Sequence, residues 1–217
     1  MKNETIRPKR VAVLDICGTL AAEDSWLALT RDLGASVDRH LEIFHTFREG
    51  MISYEESRVQ LVGIWRATRG ANRQNMRDIF ASWDLDAAAQ PLVDRLRAAG
   101  YLPLIITGAV DLYAQTVAER LGITDWFANT PLVFDDDGEL VTYHYDLDQS
   151  GKKVRQLRQF CSQNDFDPTE SIAIGDGPND LGLFQMCHGI WLFTPNRPEE
   201  LGQTARQTVK TLIEILP

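Results

Sequence analysis

The run Val11-Ala12-Val13-Leu14-Asp15-Ile16-Cys17-Gly18-Thr19-Leu20 decides the fold. Its opening is apolar and rich in valine, the pattern of a strand buried on both faces of a parallel sheet. The strand delivers one carboxylate, Asp15, to its C-terminal end, where a Gly-Thr turn follows. Open α/β sheets do their chemistry at those strand ends. Far downstream, Ser171-Ile172-Ala173-Ile174-Gly175-Asp176-Gly177-Pro178-Asn179-Asp180 repeats the design: a strand, an acid, a tight turn. Two acid-tipped strands can set their carboxylates around one hard cation such as Mg²⁺.

The rest of the chain is compatible with that reading. Its 217 residues allow one domain, or one core with a small insert. A net charge of −9 disfavours a nucleic-acid partner, which needs a basic footprint. No apolar run approaches the ~20 residues that span a bilayer, so no membrane partner is expected. Residues 1–10 are polar and basic, unlike a signal peptide. Three widely spaced cysteines, Cys17, Cys161 and Cys187, suit a reducing compartment better than a disulfide framework. A cytoplasmic location is expected.

Strands are predicted at 11–15, 102–107, 171–176 and 189–193, alternating with helices at 87–99, 111–121, 153–163 and 178–186. Alternation of this kind predicts an α/β fold, a Rossmann-like parallel sheet covered on both faces. Residues 132–134 and 140–143 break the rhythm as a hairpin around Asp135-Asp136-Asp137-Gly138, which reads as a solvated turn. Between residues 20 and 85 there is no strand pattern. Four amphipathic helices are predicted there, at 24–33, 38–49, 54–68 and 72–83, punctuated by Gly34, Gly50 and Gly70. An insert directly after the first strand would stand over the sheet's C-terminal edge as a lid. The expected division is a core of residues 1–23 and 84–217 and a helical cap of residues 24–83. The cap aromatics Trp26, Phe44, Phe47, Trp65 and Trp83 are expected mostly to fill the bundle's own core.

The two acidic motifs together resemble those of the haloacid dehalogenase superfamily, Asp-x-Asp-Gly-Thr and Gly-Asp-Gly-x-Asn-Asp. The likeness extends to Thr107-Gly108-Ala109-Val110-Asp111, Glu119-Arg120-Leu121-Gly122-Ile123, Trp126-Phe127-Ala128-Asn129 and the cap run Glu49-Gly50 with Ser53-Tyr54-Glu55-Glu56-Ser57, and is closest to the phosphoserine phosphatase branch. The resemblance implies a phosphomonoester hydrolase acting on a small phosphorylated metabolite through an aspartyl-phosphate. Asp15 would be the nucleophile. Mg²⁺ would be held by Asp15, the backbone carbonyl of Cys17, Asp176 and Asp180. Thr107 and the N–H groups near Gly108 would hold the phosphate.

A motif lysine should open the helix before the last acidic strand. Lys152 and Lys153 are both available, in a chain with five Lys against seventeen Arg. Helix phase favours Lys153, because Leu157 and Phe160 then face the core. In the cap, the branch holds its amino-acid leaving group with a Glu and an Arg. Asp24 falls at the first position; Val59 falls at the second, with Arg58 one residue away, about a hundred degrees round a helix. Asp24 and Arg58 are therefore the candidate leaving-group residues, and phosphoserine itself fits poorly.

The main departure is Cys17, where the family has the aspartate that protonates the leaving oxygen and deprotonates the attacking water. Such help is worth on the order of 10²–10⁴-fold. A thiol, with a pKa of about 8.5, is a poor base near neutrality, so turnover should be slow. The alternatives are a non-catalytic phosphate-ligand sensor and a phosphoryl-transfer protein with a long-lived aspartyl-phosphate. The cap carries no lysine for a Schiff-base mechanism, and a dehalogenase would not need the second acidic motif.

Overall fold

The computed structural model describes residues 10–193 and 200–215. The polar opening segment, with Lys2 and Lys9, lies outside them. The chain runs β1 (Arg10–Leu14), then helices α1 (Ser25–Asp32), α2 (Val37–Arg48), α3 (Tyr54–Arg66) and α4 (Arg73–Ser82). It continues through α5 (Ala89–Ala98), β2 (Tyr101–Val110), α6 (Asp111–Leu121), β3 (Asp125–Thr130), β4 (Leu132–Phe134) and β5 (Leu140–Tyr143). The last part is α7 (Gln149–Asn164), β6 (Ile172–Gly175), α8 (Leu181–Met186), β7 (His188–Leu192), α9 (Glu200–Thr204) and β8 (Gln207–Val209).

Six strands form one sheet in the order β3-β2-β1-β6-β7-β8, every pair parallel. β1 is central, and Leu14 lies in register with Ile105 on one side and Ile174 on the other. The connection from β1 goes to β2, whereas β6 returns on its opposite flank. The loops after β1 and β6 therefore diverge and leave a crevice at the carboxyl ends of these strands. Asp15 and Asp176 stand on either side of it.

Side chains alternate between the faces, as strand geometry requires. Val11 and Val13 join Leu104, Leu157, Phe160 and Phe184 on one face. Ala12 and Leu14 join the other, which runs without a break into the insert through Leu20, Leu29, Trp65, Met76 and Phe80. The insert thus shares its hydrophobic core with the sheet. Trp83 and Phe80 lie 5.0 Å and 5.3 Å from the ring of Tyr113 on α6. Burying each such ring is worth about 1.5–3 kcal/mol. Phe44 is the exception among the cap aromatics, being exposed on α2.

Each helix of the insert starts where a side chain can take the free N–H groups of its first turn. The caps are Asp24, Ser36, Ser53 and Asn72, with Ser53 and Glu56 forming a reciprocal box. The predicted hairpin is β4 paired antiparallel with β5, its turn closed by Asp135 Oδ1, which accepts from the N–H groups of Asp137 and Glu139.

Three details differ from the sequence reading. β3 and β8 are strands at the two edges of the sheet, outside the predicted set. α7 begins at Gln149 rather than Lys153, because the Asp148 side chain caps it by accepting from Gly151 N–H. The segment 178–186 is a 3₁₀ turn followed by α8. Among the described residues no helix is long and apolar enough to cross a membrane.

Candidate active site

Asp15 is positioned by the end of β1: its N–H continues the sheet by donating to the Ile174 carbonyl at 3.0 Å. Its Oδ1 accepts from Ile16 N–H at 2.8 Å, and its Oδ2 lies 2.9 Å from Lys153 Nζ. Lys153 reaches there from the first turns of α7 and lies 2.7 Å from Asp180 Oδ1 as well. The ammonium is fully buried. Burial alone would push its pKa down, but the charges of Asp15 and Asp180 outweigh that and raise it. Burial pushes the Asp180 carboxyl up and Lys153 pulls it down. Lys152, one residue earlier, points elsewhere: its Nζ donates to the Asn129 carbonyl at 3.1 Å.

Asp176 directly follows β6, and its Oδ1 is 3.5 Å from Thr19 Oγ1 of the first loop. That loop leans closely on it. Gly18 has φ +77°, and a Cβ there would fall 2.2 Å from Asp176 Oδ2, so both backbone and space call for glycine. Oxygens of Asp15, Asp176 and Asp180 lie within 4.8 Å of one another, and all three residues are buried. Lys153 serves Asp15 and Asp180, and all three carboxylates offer hard oxygen donors. The set fits a hard divalent cation of the Mg²⁺ kind.

Thr107 is fully buried near the end of β2, its Oγ1 accepting from Ala109 N–H at 3.2 Å. Gly108 beside it is tightly surrounded: a Cβ would stand 3.0 Å from Gln149 Oε1 and 3.4 Å from Asn179 Nδ2. Gln149 is fixed in turn by Asn129, whose Nδ2 donates to its Oε1 at 2.7 Å. Thus the end of β2, the start of α7 and the turn after β6 meet around Gly108.

Cys17 lies two residues beyond Asp15, and its thiol donates to Ser25 Oγ at 3.2 Å. Burial first, and then the charge of Asp15, push this thiol up to about 12. At neutral pH it holds its proton. Asp24, beside Ser25, is exposed and accepts from the N–H groups of Trp26 and Leu27 as the cap of α1. Its charge still reaches Cys17 and Tyr145. Arg58 pairs with Glu55 and donates to the Tyr143 carbonyl at 3.2 Å, while its buried Nε has no hydrogen-bond partner among the described residues.

The structure therefore gathers Asp15, Cys17, Asp176, Asp180 and Lys153 at one crevice, with Thr107 and Gly108 on the adjacent strand end. It places Asp24 on the rim and ties Arg58 to the hairpin. Sequence reasoning missed Ser25, Gln149 and Tyr145. Only Ser25 carried a signal, as the residue after a helix cap.

Comparison with known proteins follows the same lines. Residues 12–185 match the haloacid dehalogenase-like hydrolases, and the chain belongs to that family. Among its relatives is the phosphoserine phosphatase of Lactococcus lactis, 28% identical over 176 residues, which cover 81% of this chain and 79% of that protein. The phosphoserine phosphatase of Archaeoglobus fulgidus is 24% identical over 80% of this chain, but the match spans only 49% of the relative's length. A substrate-bound phosphoserine phosphatase structure superposes with a TM-score of 0.74 at 20% identity, covering 97% of this chain and 98% of the other. A phospho-aspartyl intermediate analogue of phosphoserine phosphatase gives 0.73 at 19% identity, with the same coverage of both chains. The chain is a phosphatase-type enzyme similar to these.

Proposed function

We propose that the protein is a Mg²⁺-dependent phosphomonoester hydrolase that acts on a small phosphorylated metabolite through an aspartyl-phosphate. The observation that carries this is the buried contact of Asp15 with Lys153 beside Asp176 and Asp180. Bound Mg²⁺ would supply the charge neutralisation that lets one anion approach another. Asp15, Asp176 and Asp180 would hold it, with the Cys17 carbonyl.

Asp15 supplies the nucleophilic oxygen. A P–O bond forms to Asp15 Oδ as the bond from phosphorus to the leaving alcohol breaks. Lys153 orients that carboxylate and offsets charge on the phosphoryl oxygens. The Thr107 hydroxyl and the N–H groups beside Gly108 hold the phosphate. The departing alkoxide needs a proton, which Cys17 can give from a thiol held protonated at neutral pH. Solvent returns the proton to Cys17, whose raised pKa keeps the thiol protonated at neutral pH. Water then attacks the phosphoryl group and gives its proton to solvent, inorganic phosphate leaves, and Asp15 is regenerated. No base like the family's aspartate stands ready at position 17 to take the proton from that water, so this second step is slow. The same deficit favours one further reading, a protein whose long-lived aspartyl-phosphate is passed to another acceptor or read as a signal. The helical insert acts as the cap. The location proposed is cytoplasmic, in line with three unpaired cysteines.

The test is phosphate release from p-nitrophenyl phosphate with and without Mg²⁺, with acid trapping of phosphoenzyme. Release should need Mg²⁺ and vanish in Asp15→Asn. Mg²⁺ should also raise the melting temperature of the wild type, and Asp176→Asn should lose that shift. Undiminished turnover in excess chelator would rule out the metal-dependent mechanism.

A further inference from the structure

Beside the phosphate site, β2 and β3 fall out of step. Thr107 pairs with Ala128 and Val110 with Thr130, so Gly108 and Ala109 together face the single residue Asn129. An extra residue of this kind bends a strand, and such bulges recur beside active sites. Side chains tie this one down. The Gly108 carbonyl accepts from Thr130 Oγ1 at 2.9 Å, and Ala109 N–H donates to Thr107 Oγ1 at 3.2 Å.

Asn129 is fully buried, and Gln149, the first residue of α7, is buried too. Their amides form a chain with one direction. Gln149 Nε2 donates to the Asp146 carbonyl at 2.6 Å, which leaves Gln149 Oε1 to accept from Asn129 Nδ2 at 2.7 Å. Asn129 Oδ1 is then buried with no hydrogen-bond partner among the described residues. A buried acceptor without a donor destabilises a fold. Stability alone would favour an apolar residue at position 129. The amide there serves through its donor, and the donor serves Gln149.

Gln149 in turn rests on the phosphate strand, with its Oε1 3.0 Å from the point where a Gly108 Cβ would stand. Lys153 lies one turn further along the same face of α7 and reaches Asp15 Oδ2 at 2.9 Å. One helix face thus carries a contact to the phosphate strand and then the ammonium that meets the nucleophile. The helix is rigid over that turn. Whatever seats Gln149 against Gly108 therefore also sets the distance from Lys153 to a phosphate held there.

We propose that Asn129 and Gln149 are a positioning pair: the bond from Asn129 Nδ2 to Gln149 Oε1 seats the first turn of α7 on the Gly108 bulge and holds the phosphate site and Lys153 at one spacing. Neither residue touches the reacting atoms. This rests on the phosphatase reading of the site and goes beyond it by naming what aligns its two halves.

The experiment uses Gln149→Met and the double variant Asn129→Leu with Gln149→Met, in which apolar groups of similar shape replace the amides. It measures urea unfolding, kcat and KM for p-nitrophenyl phosphate, and calorimetric binding of inorganic phosphate, all with Mg²⁺. Gln149→Met alone leaves a buried Asn129 N–H without its acceptor and should unfold at lower urea than the wild type. The double variant removes both ends of the bond and should regain most of that stability. Activity should not follow. Both proteins should lose about 10-fold or more in kcat/KM and bind inorganic phosphate about 10-fold more weakly, within the scale of a small misplacement of reacting groups. A double variant with wild-type kcat/KM and phosphate affinity would overturn the proposal. Gln149→Ala decides the matter if the double variant does not fold, since alanine is well tolerated in a helix. Unchanged kcat/KM and phosphate affinity in folded Gln149→Ala would overturn the proposal equally. A wild type that binds phosphate but turns over no ester would sink the hydrolase reading alone, and phosphate binding by the variants would then decide the pair. A wild type that does neither would overturn both.

Discussion

The proposed reaction centre and the rim beside it are built on opposite plans. At the centre, Asp15, Asp176 and Lys153 are buried, and each is held by more than one contact along a strand end or helix turn. At the rim, Asp24, Trp26, Arg58 and Tyr145 come from the start of α1, from α3 and from the segment after β5, and they are exposed or half-buried. The centre is fixed by backbone that cannot change without dismantling the sheet. The rim is fixed by side chains on separate elements, each of which can vary singly. One fold can therefore keep its phosphate chemistry while its leaving group changes.

The strongest way to break this comparison is to remove the cation that joins α7 to both acidic strands. Lys153→Ala should lower kcat on the order of 10³-fold. It should also cost the metal-free protein about 3–5 kcal/mol, because it strands buried carboxylates without their partner. Lys152→Ala should change kcat by less than about 3-fold, since its ammonium serves a backbone carbonyl outside the centre. Steady-state kinetics and urea unfolding of both variants check this. A Lys152 variant that alone is inactive would reverse the assignment.

Cys17→Asp sharpens the comparison from the other direction, by restoring at the centre a group that can both give and take a proton. Turnover of alkyl phosphates should rise about 10–100-fold, within the range of general acid–base catalysis. Aryl phosphates with acidic phenols should gain less in the first step. Trapped phosphoenzyme should fall in the variant. A folded, Mg²⁺-binding Cys17→Asp protein no faster on any ester would show that proton transfer at this position is not the bottleneck.

How much of this could be read from sequence follows the same divide. The centre was legible because its carboxylates end contiguous apolar strands, and because Lys153 shares a helix phase with Leu157 and Phe160. The rim was half legible. Asp24 and Arg58 could be named, but not that a hairpin carbonyl would accept from the guanidinium, because that contact joins α3 to Tyr143, 85 positions away. Tyr145 gave no signal, since its neighbours Trp26 and Tyr54 are distant in the chain. The edge strands were missed for a local reason. β3 reads Asp-Trp-Phe-Ala-Asn-Thr, polar at both ends, and β8 is three residues long. The start of α7 was hidden by Gly151, which reads as a helix break until Asp148 is seen to cap it.

Below the rim, Thr30 is fully buried on α1 and supports Trp65 and Trp26 at once. Its Oγ1 accepts from Trp65 Nε1 at 2.8 Å, donates to the Trp26 carbonyl at 3.0 Å and lies 2.6 Å from His40 Nδ1. These contacts are all satisfied when His40 carries its proton on Nδ1. Thr30→Val keeps the shape and removes the hub, leaving a buried indole N–H without its acceptor. A loss of about 1–3 kcal/mol is expected in urea unfolding. Phosphate-site geometry rests on other elements, so Mg²⁺-induced stabilisation should persist. Loss of the Mg²⁺ effect in this variant would mean that rim and centre are not separable.

The smallest effect expected is one of pH, and it also falls on the rim. His40 is buried against Thr30 and 6.4 Å from the Trp65 ring. Burial lowers its pKa below the ordinary 6.5, and the charge of Asp24 opposes this without cancelling it. The folded state thus prefers the neutral ring. Above pH 6.5 the ring is neutral folded or unfolded, and its full contribution is present. As pH falls below that value the unfolded chain takes up the proton first, so stability declines until the folded-state pKa is passed. One proton limits the slope to about 1.4 kcal/mol per pH unit. Carboxylates elsewhere titrate in part of the same range, so the readout is the difference between wild type and His40→Gln, whose side chain can still donate to Thr30. Tryptophan fluorescence during urea unfolding at pH 7.5 and 5.5 measures it. Wild type should lose more stability than His40→Gln between these pH values, and equal losses would mean that His40 is not held neutral in the fold.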